Sequence, residues 1–290
     1  MAIIREHDRY YTRADTARLC VDVTLKYLEQ AQVDYSSALF LEPSAGAGAF
    51  LDLLPAARRM GLDLAPAHPE IVQQDFLSFE LVRGLSRLSA QNDEGQAQSE
   101  NLSDNQTNVV VGNPPFGRNS SLAVKFVNKA ATLADVVAFI LPKTFQKAST
   151  VRRLDPLLHL AAEFEIPTYS FMFEGANVDV PCVFQIWIRK PEPRPDMPGP
   201  RTHPDFRFVK REHADFAVRR VGRSAGQVIE DFATYARTSH HFIKASNPQD
   251  VMRKLCNIDW SVVRAQTAGV PCVGKEELIR LYTQASGVSE

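Results

Sequence analysis

The tetrapeptide Asn113-Pro114-Pro115-Phe116 has the chemistry of a pocket for a flat ring that carries an amino group. It directly follows Val109-Val110-Val111-Gly112, an apolar run that predicts a buried strand, so it should lie where that strand ends. The two prolines fix their own φ and remove two N–H donors, which leaves a stiff turn with carbonyl acceptors. Acceptors without donors suit an exocyclic NH2 group.

An amine on an aromatic ring is a poor nucleophile because its lone pair is delocalised into the ring. Two hydrogen bonds, accepted by the Asn113 side-chain oxygen and the Pro114 carbonyl, would pull the nitrogen toward tetrahedral geometry and free that lone pair. Phe116 would stack on the ring and hold it for attack. The alternative is a plain proline turn with a buried aromatic side chain, since such dipeptides are common in loops.

A second transition from strand to turn lies upstream, in Glu42-Pro43-Ser44-Ala45-Gly46-Ala47-Gly48. The apolar run before it predicts a strand, and the spacing of Phe50, Leu53, Leu54 and Ala57 predicts an amphipathic helix after it. This order brings backbone N–H groups close to a bound cofactor. The spacing is G-x-G, unlike that of dinucleotide folds, and the Glu42 carboxylate would repel a pyrophosphate. The turn therefore favours a cationic or zwitterionic ligand.

Two further acidic residues follow short predicted strands. Asp63 is placed to accept hydrogen bonds from both hydroxyls of a ribose. Asp75 could accept from an adenine amino group, while Phe76 or Leu77 covers the ring. Taken singly, each Asp also suits a turn or a cap. Together with the two motifs above, they place four polar side chains at four predicted strand ends.

This series of motifs resembles the gamma-class N6-adenine methyltransferases that use S-adenosylmethionine. The resemblance covers roughly residues 8–190 and rests on Tyr11-Thr12, Glu42-Pro43-x-x-Gly46-x-Gly48-x-Phe50, Asp63, Asp75-Phe76 and Asn113-Pro114-Pro115-Phe116. It implies an α/β fold, with a seven-stranded Rossmann-like sheet that has one antiparallel strand and helices on both faces. It also implies flipping of the target base and methyl transfer to adenine N6. The family usually has Pro after Tyr-Thr, where this chain has Arg13.

By matching position, the resemblance assigns roles to individual residues. Asp63 would hold the ribose, Asp75 with Phe76 would hold the cofactor adenine, and Tyr11 with Thr12 would contact the methionine part. The whole predicted cofactor site comprises Tyr11, Thr12, Glu42, Pro43, Ser44, Gly46, Gly48, Asp63, Asp75, Phe76 and Asn113. The predicted catalytic residues are Asn113, Pro114, Pro115 and Phe116. Phe173 or Asn177, in a predicted final hairpin from Phe164 to Ile188, is a candidate contact to the flipped base.

Clusters of basic residues are candidate contacts to nucleic-acid phosphates, although the net charge of the chain is −1. Residues 201–223 hold seven Arg or Lys against three acidic residues, and a second basic group follows the predicted strand Val136–Leu141. A solvated basic edge is the alternative interpretation, but a base can enter the pocket only if its backbone is held nearby. The predicted phosphate contacts are Lys143, Lys147, Arg152, Arg153, Arg207, Lys210, Arg219 and Arg220.

The chain is long enough to bury one sizeable core and a small appendage. We predict a catalytic domain over 1–190, a proline-rich linker over 191–204 and a small α+β target-recognition region over 205–290. Residues 90–108 are almost entirely polar and predict a disordered surface insertion. Helices are predicted at 15–31, with Asp15 as a cap, and at 120–134, 248–256 and 275–284.

The four cysteines are scattered without a C-x-x-C pair, so neither a disulfide framework nor a zinc site is expected. Methyl transfer needs no metal because a sulfonium already carries the positive charge. No apolar run approaches the length of a membrane span and no secretory signal is visible, so we expect a cytoplasmic protein without membrane contact. The sequence does not fix the oligomeric state.

The leading expectation is methyl transfer to adenine N6 in DNA. The same chemistry on RNA, methylation of a protein glutamine, and a noncatalytic nucleic-acid-binding module stay open as alternatives. Glutamine methyltransferases usually have Tyr at the position of Phe116, which disfavours that alternative. A separate carboxyl-terminal region behind a linker resembles DNA target-recognition modules and favours DNA over RNA.

Overall fold

The computed structural model describes residues 10–33, 35–36, 38–80, 107–195, 199–267 and 269–287. Within these ranges, contacts divide the chain into two units. The first comprises residues 10–141 and 152–194, and the second comprises residues 142–151 and 195–287. The division at 194/195 falls inside the predicted linker. The assignment of 142–151 to the second unit was not anticipated from the sequence.

The first unit is an α/β structure. Its helices are α1 (Ala14–Gln30) and α2 (Ser121–Ala131). Its strands are β1 (Tyr11–Thr12), β2 (Leu39–Glu42), β3 (Arg59–Asp63), β4 (Ile71–Gln73), β5 (Asn108–Gly112), β6 (Val136–Pro142), β7 (Leu158–Glu165), β8 (Phe171–Phe173), β9 (Ala176–Val178) and β10 (Cys182–Arg189).

Seven of these strands form one sheet in the spatial order β4-β3-β2-β5-β6-β10-β7. Neighbouring strands from β4 to β6 run parallel, whereas β10 pairs antiparallel with β7. The remaining three, β1, β8 and β9, form a small antiparallel sheet. The seven-stranded mixed sheet confirms the fold class that the sequence predicted.

The central strands are apolar throughout because both of their faces are buried. Alternate residues of β5 and β6, such as Val109, Val111 and Ile140, pack in one core with Ala17 and Leu28 of α1. The intervening residues of these strands are equally buried and point to the opposite face of the sheet. Because parallel strands end at the same edge, this core brings the chain segments that follow β2, β3, β4 and β5 to one edge.

The amphipathic helix predicted after the glycine turn is wrong. In its place the chain forms two 3-10 turns, Leu51–Leu53 and Ala56–Arg58, separated by Leu54 and Pro55. Pro55 has no N–H to continue a helix and disfavours helical backbone at the residue before it, and Leu54 accordingly has an extended ψ of 155°. Phe50 and Leu54, two of the residues whose spacing predicted a helix, are buried together with Leu51, but the chain around them is not helical.

Three other sequence-based boundaries need correction. Asn108 belongs to β5, so the predicted insertion does not reach it, and residues 90–106 of that prediction lie outside the described residues. Helix α1 begins at Ala14, so Asp15 lies in its first turn and is not the N-cap. The predicted final hairpin is instead two features, because β10 pairs with β7 whereas β8 pairs with β1 and β9.

The second unit is a small α+β structure, as the sequence predicted. Its strands are β11 (Phe206–Phe208), β12 (Phe216–Arg219), β13 (Val228–Ile229) and β14 (His240–Ala245). Its helices are α3 (Ala148–Val151), α4 (Pro248–Cys256), α5 (Ser261–Ala265) and α6 (Lys275–Ala285). The antiparallel sheet has the order β11-β14-β12-β13, and its core includes Phe216, Ile243, Leu255 and Tyr282. Helices α4 and α6 match the two predicted carboxyl-terminal helices. In the part of the chain that the structure describes, no helix has the length and apolar character of a membrane span.

Candidate functional site

The side-chain amide of Asn113, just after β5, is oriented by two acceptors from the strand β1 region. Nδ2 donates to Thr12 Oγ1 at 3.1 Å and to the Tyr10 carbonyl at 3.4 Å. The backbone carbonyl of Asn113 accepts a hydrogen bond from Ser44 Oγ at 2.9 Å. Because acceptors surround Nδ2, the neighbours determine which end of the amide is the nitrogen.

The other end of this amide, Asn113 Oδ1, is a buried acceptor without a hydrogen-bond partner in the described structure. A buried polar atom left unpaired costs about 1–3 kcal/mol, so such atoms are uncommon and each calls for an explanation. Pro114 is buried, and Pro115 and Phe116 are half-buried. An unsatisfied acceptor beside a proline turn is an arrangement that an NH2 group would satisfy.

The turn that contains Phe116 is held by the start of α2. The Phe116 carbonyl accepts hydrogen bonds from the N–H groups of Leu122 and Ala123, at 3.1 and 3.2 Å. Gly117 has a φ of +65°, and a Cβ at this position would lie 2.8 Å from the Cβ of Leu122. Only glycine allows this approach, so Gly117 completes the motif. Gly117 was not among the residues predicted from the sequence, although a glycine directly after the proline turn was a usable signal.

The glycine turn, Tyr11 and Asp63 meet at the same edge of the sheet. Gly46, with a φ of +52°, donates its N–H to Asp63 Oδ2 at 2.8 Å, and a Cβ there would lie 3.2 Å from the Tyr11 ring. Asp63 Oδ1 accepts from Ala65 N at 2.8 Å. A carboxylate has about four lone-pair sites, so Asp63 can accept two further hydrogen bonds from ribose hydroxyls.

Glu42 supports the glycine turn from inside the fold. Its side chain is buried, and Oε2 accepts a hydrogen bond from Leu51 N at 2.7 Å. Burial raises the pKa of this carboxyl group to about 8, and the charges of Asp63 and Asp52 contribute in the same direction. Glu42 is therefore largely neutral at pH 7. Protonation of Glu42 weakens the repulsion of a pyrophosphate that was predicted from its charge.

Asp75 and Phe76 have local structural roles in this conformation. Asp75 Oδ1 accepts from Leu77 N at 2.9 Å and so caps the 3-10 turn Phe76–Ser78, which is the alternative role considered for it. The Phe76 ring is fully buried and packs on Phe126 with ring centroids 5.2 Å apart. The structure thus places Asp75 after β4, next to β3, but does not leave the Phe76 ring exposed to cover an adenine.

Among the predicted phosphate contacts, Lys147 does not have the expected surroundings. Its side chain is 7% exposed, Nζ lies 2.9 Å from Glu277 Oε1, and Nζ donates to the Cys272 carbonyl at 3.1 Å. This buried ion pair does not support a phosphate contact at Lys147. The structure leaves five of the predicted contacts exposed, namely Arg152, Arg153, Arg207, Lys210 and Arg220, whereas Lys143 and Arg219 are half-buried.

Two further residues of this region gave no signal in the sequence. His68 lies beside the glycine turn, where a Cβ on Gly48 would be 3.1 Å from its ring, and its Nε2 is 3.4 Å from Asp52 Oδ1. Tyr10 supplies a carbonyl to Asn113 and packs its ring on Phe173, at 5.4 Å between centroids.

Arg13 replaces the proline that the resembled family has at this position. Its φ of −66° is one that proline also adopts, but its N–H donates to the Ser170 carbonyl at 3.0 Å. The Arg13 guanidinium also donates to Asn177 Oδ1 at 3.1 Å. Asn177 is one of the two candidate contacts to the target base, and its side-chain oxygen is engaged by this hydrogen bond. Arginine therefore ties the start of α1 to the β8–β9 hairpin in a way that proline could not.

Comparisons with known proteins found several similar solved structures, of which two are described here. One is a proposed RNA methyltransferase from Pyrococcus horikoshii, with a TM-score of 0.40 and 15% identity, covering 63% of this chain and 87% of the other. Another is magnesium protoporphyrin IX methyltransferase from Synechocystis with bound S-adenosylmethionine, with a TM-score of 0.38 and 13% identity, covering 60% and 80%. No protein-family model and no curated protein matches the chain. At these TM-scores the similarity does not assign an activity to this chain.

Proposed function

We propose that this chain is an S-adenosylmethionine-dependent methyltransferase that methylates adenine N6 in nucleic acid, with DNA as the preferred substrate. The observation that carries this proposal is the pairing of Asn113: Nδ2 is held by Thr12 and Tyr10, whereas Oδ1 is buried and finds no partner among the described residues. An exocyclic NH2 group would supply the missing donor. The unpaired oxygen is therefore oriented before the base arrives.

The residues around the glycine turn fit the proposed cofactor. Gly46 keeps open a space that a Cβ would fill against the Tyr11 ring, and Asp63 retains acceptor capacity for a ribose. The hydroxyl group of Ser44 joins this turn to the Asn113 carbonyl, and the hydroxyl group of Thr12 in β1 accepts from the Asn113 side chain. When bound, the cofactor supplies an electrophilic methyl group, and the departing sulfur keeps the electron pair of the broken carbon–sulfur bond.

The chain's own residues would act on the target amine. Asn113 Oδ1 and the Pro114 carbonyl would each accept a hydrogen bond from N6, which localises the lone pair on nitrogen and aims it at the methyl group. Phe116 would hold the base plane by stacking. After transfer, the positively charged N6 loses one proton to water. A neutral amide suffices at this position, because the amine needs orientation and not prior deprotonation.

The preference for DNA over RNA rests on the resemblance of a separate carboxyl-terminal region behind a linker to DNA target-recognition modules. The exposed cations of this α+β unit suit contact to the backbone of either nucleic acid. RNA offers the same phosphates and the same adenine amine, and a glutamine side chain offers a similar NH2 group. These substrates are the alternatives that the experiment must separate.

The test is incubation of the purified chain with tritiated cofactor and four separate pools: duplex DNA, single-stranded DNA, ribosomal RNA and protein. The Asn113→Ala variant serves as the blank, and the products are digested and separated as nucleosides or amino acids. Label that co-elutes with N6-methyladenine from DNA supports the proposal. Label found only in RNA or in glutamine would replace the substrate, and absence of label from all four pools would overturn the proposed activity.

A further inference from the structure

The second unit contains a pocket of about 480 Å³ that no step of the proposed methyl transfer uses. It opens between the end of β11, the residue after β12, the start of β14 and the start of α6. Its volume lies within the range of small-molecule sites, about 300–1,000 Å³. The residues that line it are Phe208, Val209, Lys210, Arg220, Arg237, His240, His241, Phe242, Gly274 and Lys275.

The charged side chains that line this pocket are all cationic. Lys210, Arg220, Arg237 and Lys275 contribute four cationic groups, and none of the described lining residues carries a carboxylate. Within the described ranges, Lys210, Arg220 and Arg237 form no ion pair, and Lys275 Nζ lies 4.7 Å from the centroid of the Phe208 ring. Cations gathered in a concave site create a positive potential that attracts an anion.

His240 supplies a second and independent observation. Its side chain is 4% exposed, and its Nδ1 lies 2.9 Å from Ser239 Oγ and 3.4 Å from the Ala236 carbonyl. Its other ring nitrogen, Nε2, is buried and has no hydrogen-bond partner in the described structure. With Nδ1–H donating to the Ala236 carbonyl, Nε2 of the neutral ring is an acceptor. Burial lowers the pKa of the ring, whereas the negative charge of a bound anion would raise it, and protonation of Nε2 would then give a donor to an anionic oxygen.

The neighbouring His241 is satisfied, which isolates His240 as the incomplete member of the pair. His241 Nε2 contacts the Val273 carbonyl at 2.8 Å, and burial lowers the pKa of its ring to about 4. His241 therefore stays neutral and acts as a structural residue. The lining thus combines four cations with one buried nitrogen for which the described residues supply no partner. A phosphate oxygen would pair with the cations, and with that nitrogen once it is protonated.

We infer that this pocket binds a phosphate group of a nucleic-acid strand. The inference rests on the proposed function for the nature of the partner and specifies where the second unit holds it. It retains Lys210 and Arg220 from the contacts predicted by sequence, and it adds Arg237, His240 and Lys275. Arginine is well suited to this role because its guanidinium can donate two parallel hydrogen bonds to phosphate oxygens.

The test compares two double variants of equal charge in the full chain. Arg220→Ala/Arg237→Ala removes two pocket cations, whereas Lys244→Ala/Arg280→Ala removes two exposed cations of the same unit that do not line the pocket. Binding of fluorescein-labelled duplex and single-stranded oligonucleotides is followed by anisotropy over a series of salt concentrations, without cofactor. Thermal unfolding of each variant is measured alongside.

We expect the pocket variant to bind oligonucleotide at least about tenfold more weakly. The slope of log affinity against log salt concentration is negative, and its magnitude should decrease by about one. The control variant should stay within about twofold of the parent chain. Equal losses in both variants would indicate a general charge effect and overturn the inference, as would unchanged binding in the pocket variant. Tighter binding of labelled polyglutamate than of oligonucleotide would overturn it too and indicate an acidic protein partner.

This binding assay does not depend on methyl transfer. If the parent chain methylates adenine but the pocket variant binds oligonucleotide normally, the inference fails and the proposed function stands. If no substrate is methylated but the pocket variant alone loses affinity for oligonucleotide, the proposed function fails and the phosphate site stands.

Discussion

Thr12 Oγ1 accepts a hydrogen bond from Asn113 Nδ2 at 3.1 Å, although the two residues are 101 positions apart. This bond, with the longer one to the Tyr10 carbonyl, turns the amide so that Oδ1 is the end left for a ligand. Thr12 therefore positions Asn113, a role distinct from the cofactor contact that the sequence resemblance implied for it.

Thr12→Val should slow methyl transfer by about fivefold, because loss of one oriented hydrogen bond is worth about 1 kcal/mol and lets the amide rotate. The shape of the side chain is kept, so the affinity for cofactor measured by calorimetry should change little. Thr12→Ser, which keeps the hydroxyl acceptor, is the matched control and should retain most of the rate. Equal rates for the Val and Ser variants in single-turnover assays would refute the positioning role.

Gly46→Ala should weaken cofactor binding by about tenfold or more and lower stability by about 1–2 kcal/mol. The alanine would have a φ of +52°, in the left-handed region, and its Cβ would lie 3.2 Å from the Tyr11 ring. Gly269→Ala is the control, since that glycine has open space around its Cβ position. Calorimetric titration with cofactor and urea unfolding measure the two effects. If Gly46→Ala binds the cofactor as tightly as the parent chain, the cofactor does not bind beside Gly46.

Because of Glu42, the free energy of unfolding should decrease as the pH rises from about 4.5 to about 8. Its folded-state pKa is raised to about 8 from the ordinary 4.5 by burial, so in this interval the folded state binds more protons than the unfolded state. The slope can reach about 1.4 kcal/mol per pH unit. Glu42→Gln removes the titrating group and keeps an acceptor for Leu51 N–H, so urea unfolding of this variant should depend less on pH. Identical pH profiles for the two chains would show that Glu42 does not titrate in this interval.

Lys147→Ala should destabilise the chain by about 3–5 kcal/mol, because it leaves the Glu277 carboxylate buried without its counter-charge. Lys147→Met/Glu277→Gln removes both charges and keeps an acceptor for Gly274 N–H, so it should recover most of the loss in urea unfolding. At a temperature where both variants are folded, their affinity for oligonucleotide should match that of the parent chain. Weak oligonucleotide binding with normal unfolding would instead restore Lys147 as a phosphate contact.

Much of the fold could be predicted because it depends on burial. Strands β5 and β6 are continuous apolar runs, and helices α4 and α6 follow the apolar spacing of their buried faces, so both patterns are local in the sequence. The incorrect prediction of a helix after the glycine turn also depended on burial. Phe50 and Leu54 are spaced as in a helix and are buried, but Pro55 prevents the hydrogen bonds that a helix needs.

The site could be predicted only in part. Asn113, Gly46 and Asp63 come at strand ends, and parallel strands bring such residues to one edge. The bond between Thr12 and Asn113, and the ion pair of Lys147 with Glu277, join segments far apart in sequence, so no local pattern could indicate them. The same holds for His240, whose unpaired nitrogen is visible only in three dimensions.

The most direct test of the account is the Asn113→Ala variant, compared with Asn119→Gly in the same loop as a control. Asn113→Ala should lower the rate of methyl transfer by at least about a hundredfold, because it removes the oriented acceptor for the target amine. Its affinity for cofactor should stay within about threefold of the parent chain, and Asn119→Gly should keep both properties. Methyl transfer at the normal rate by Asn113→Ala would contradict the account.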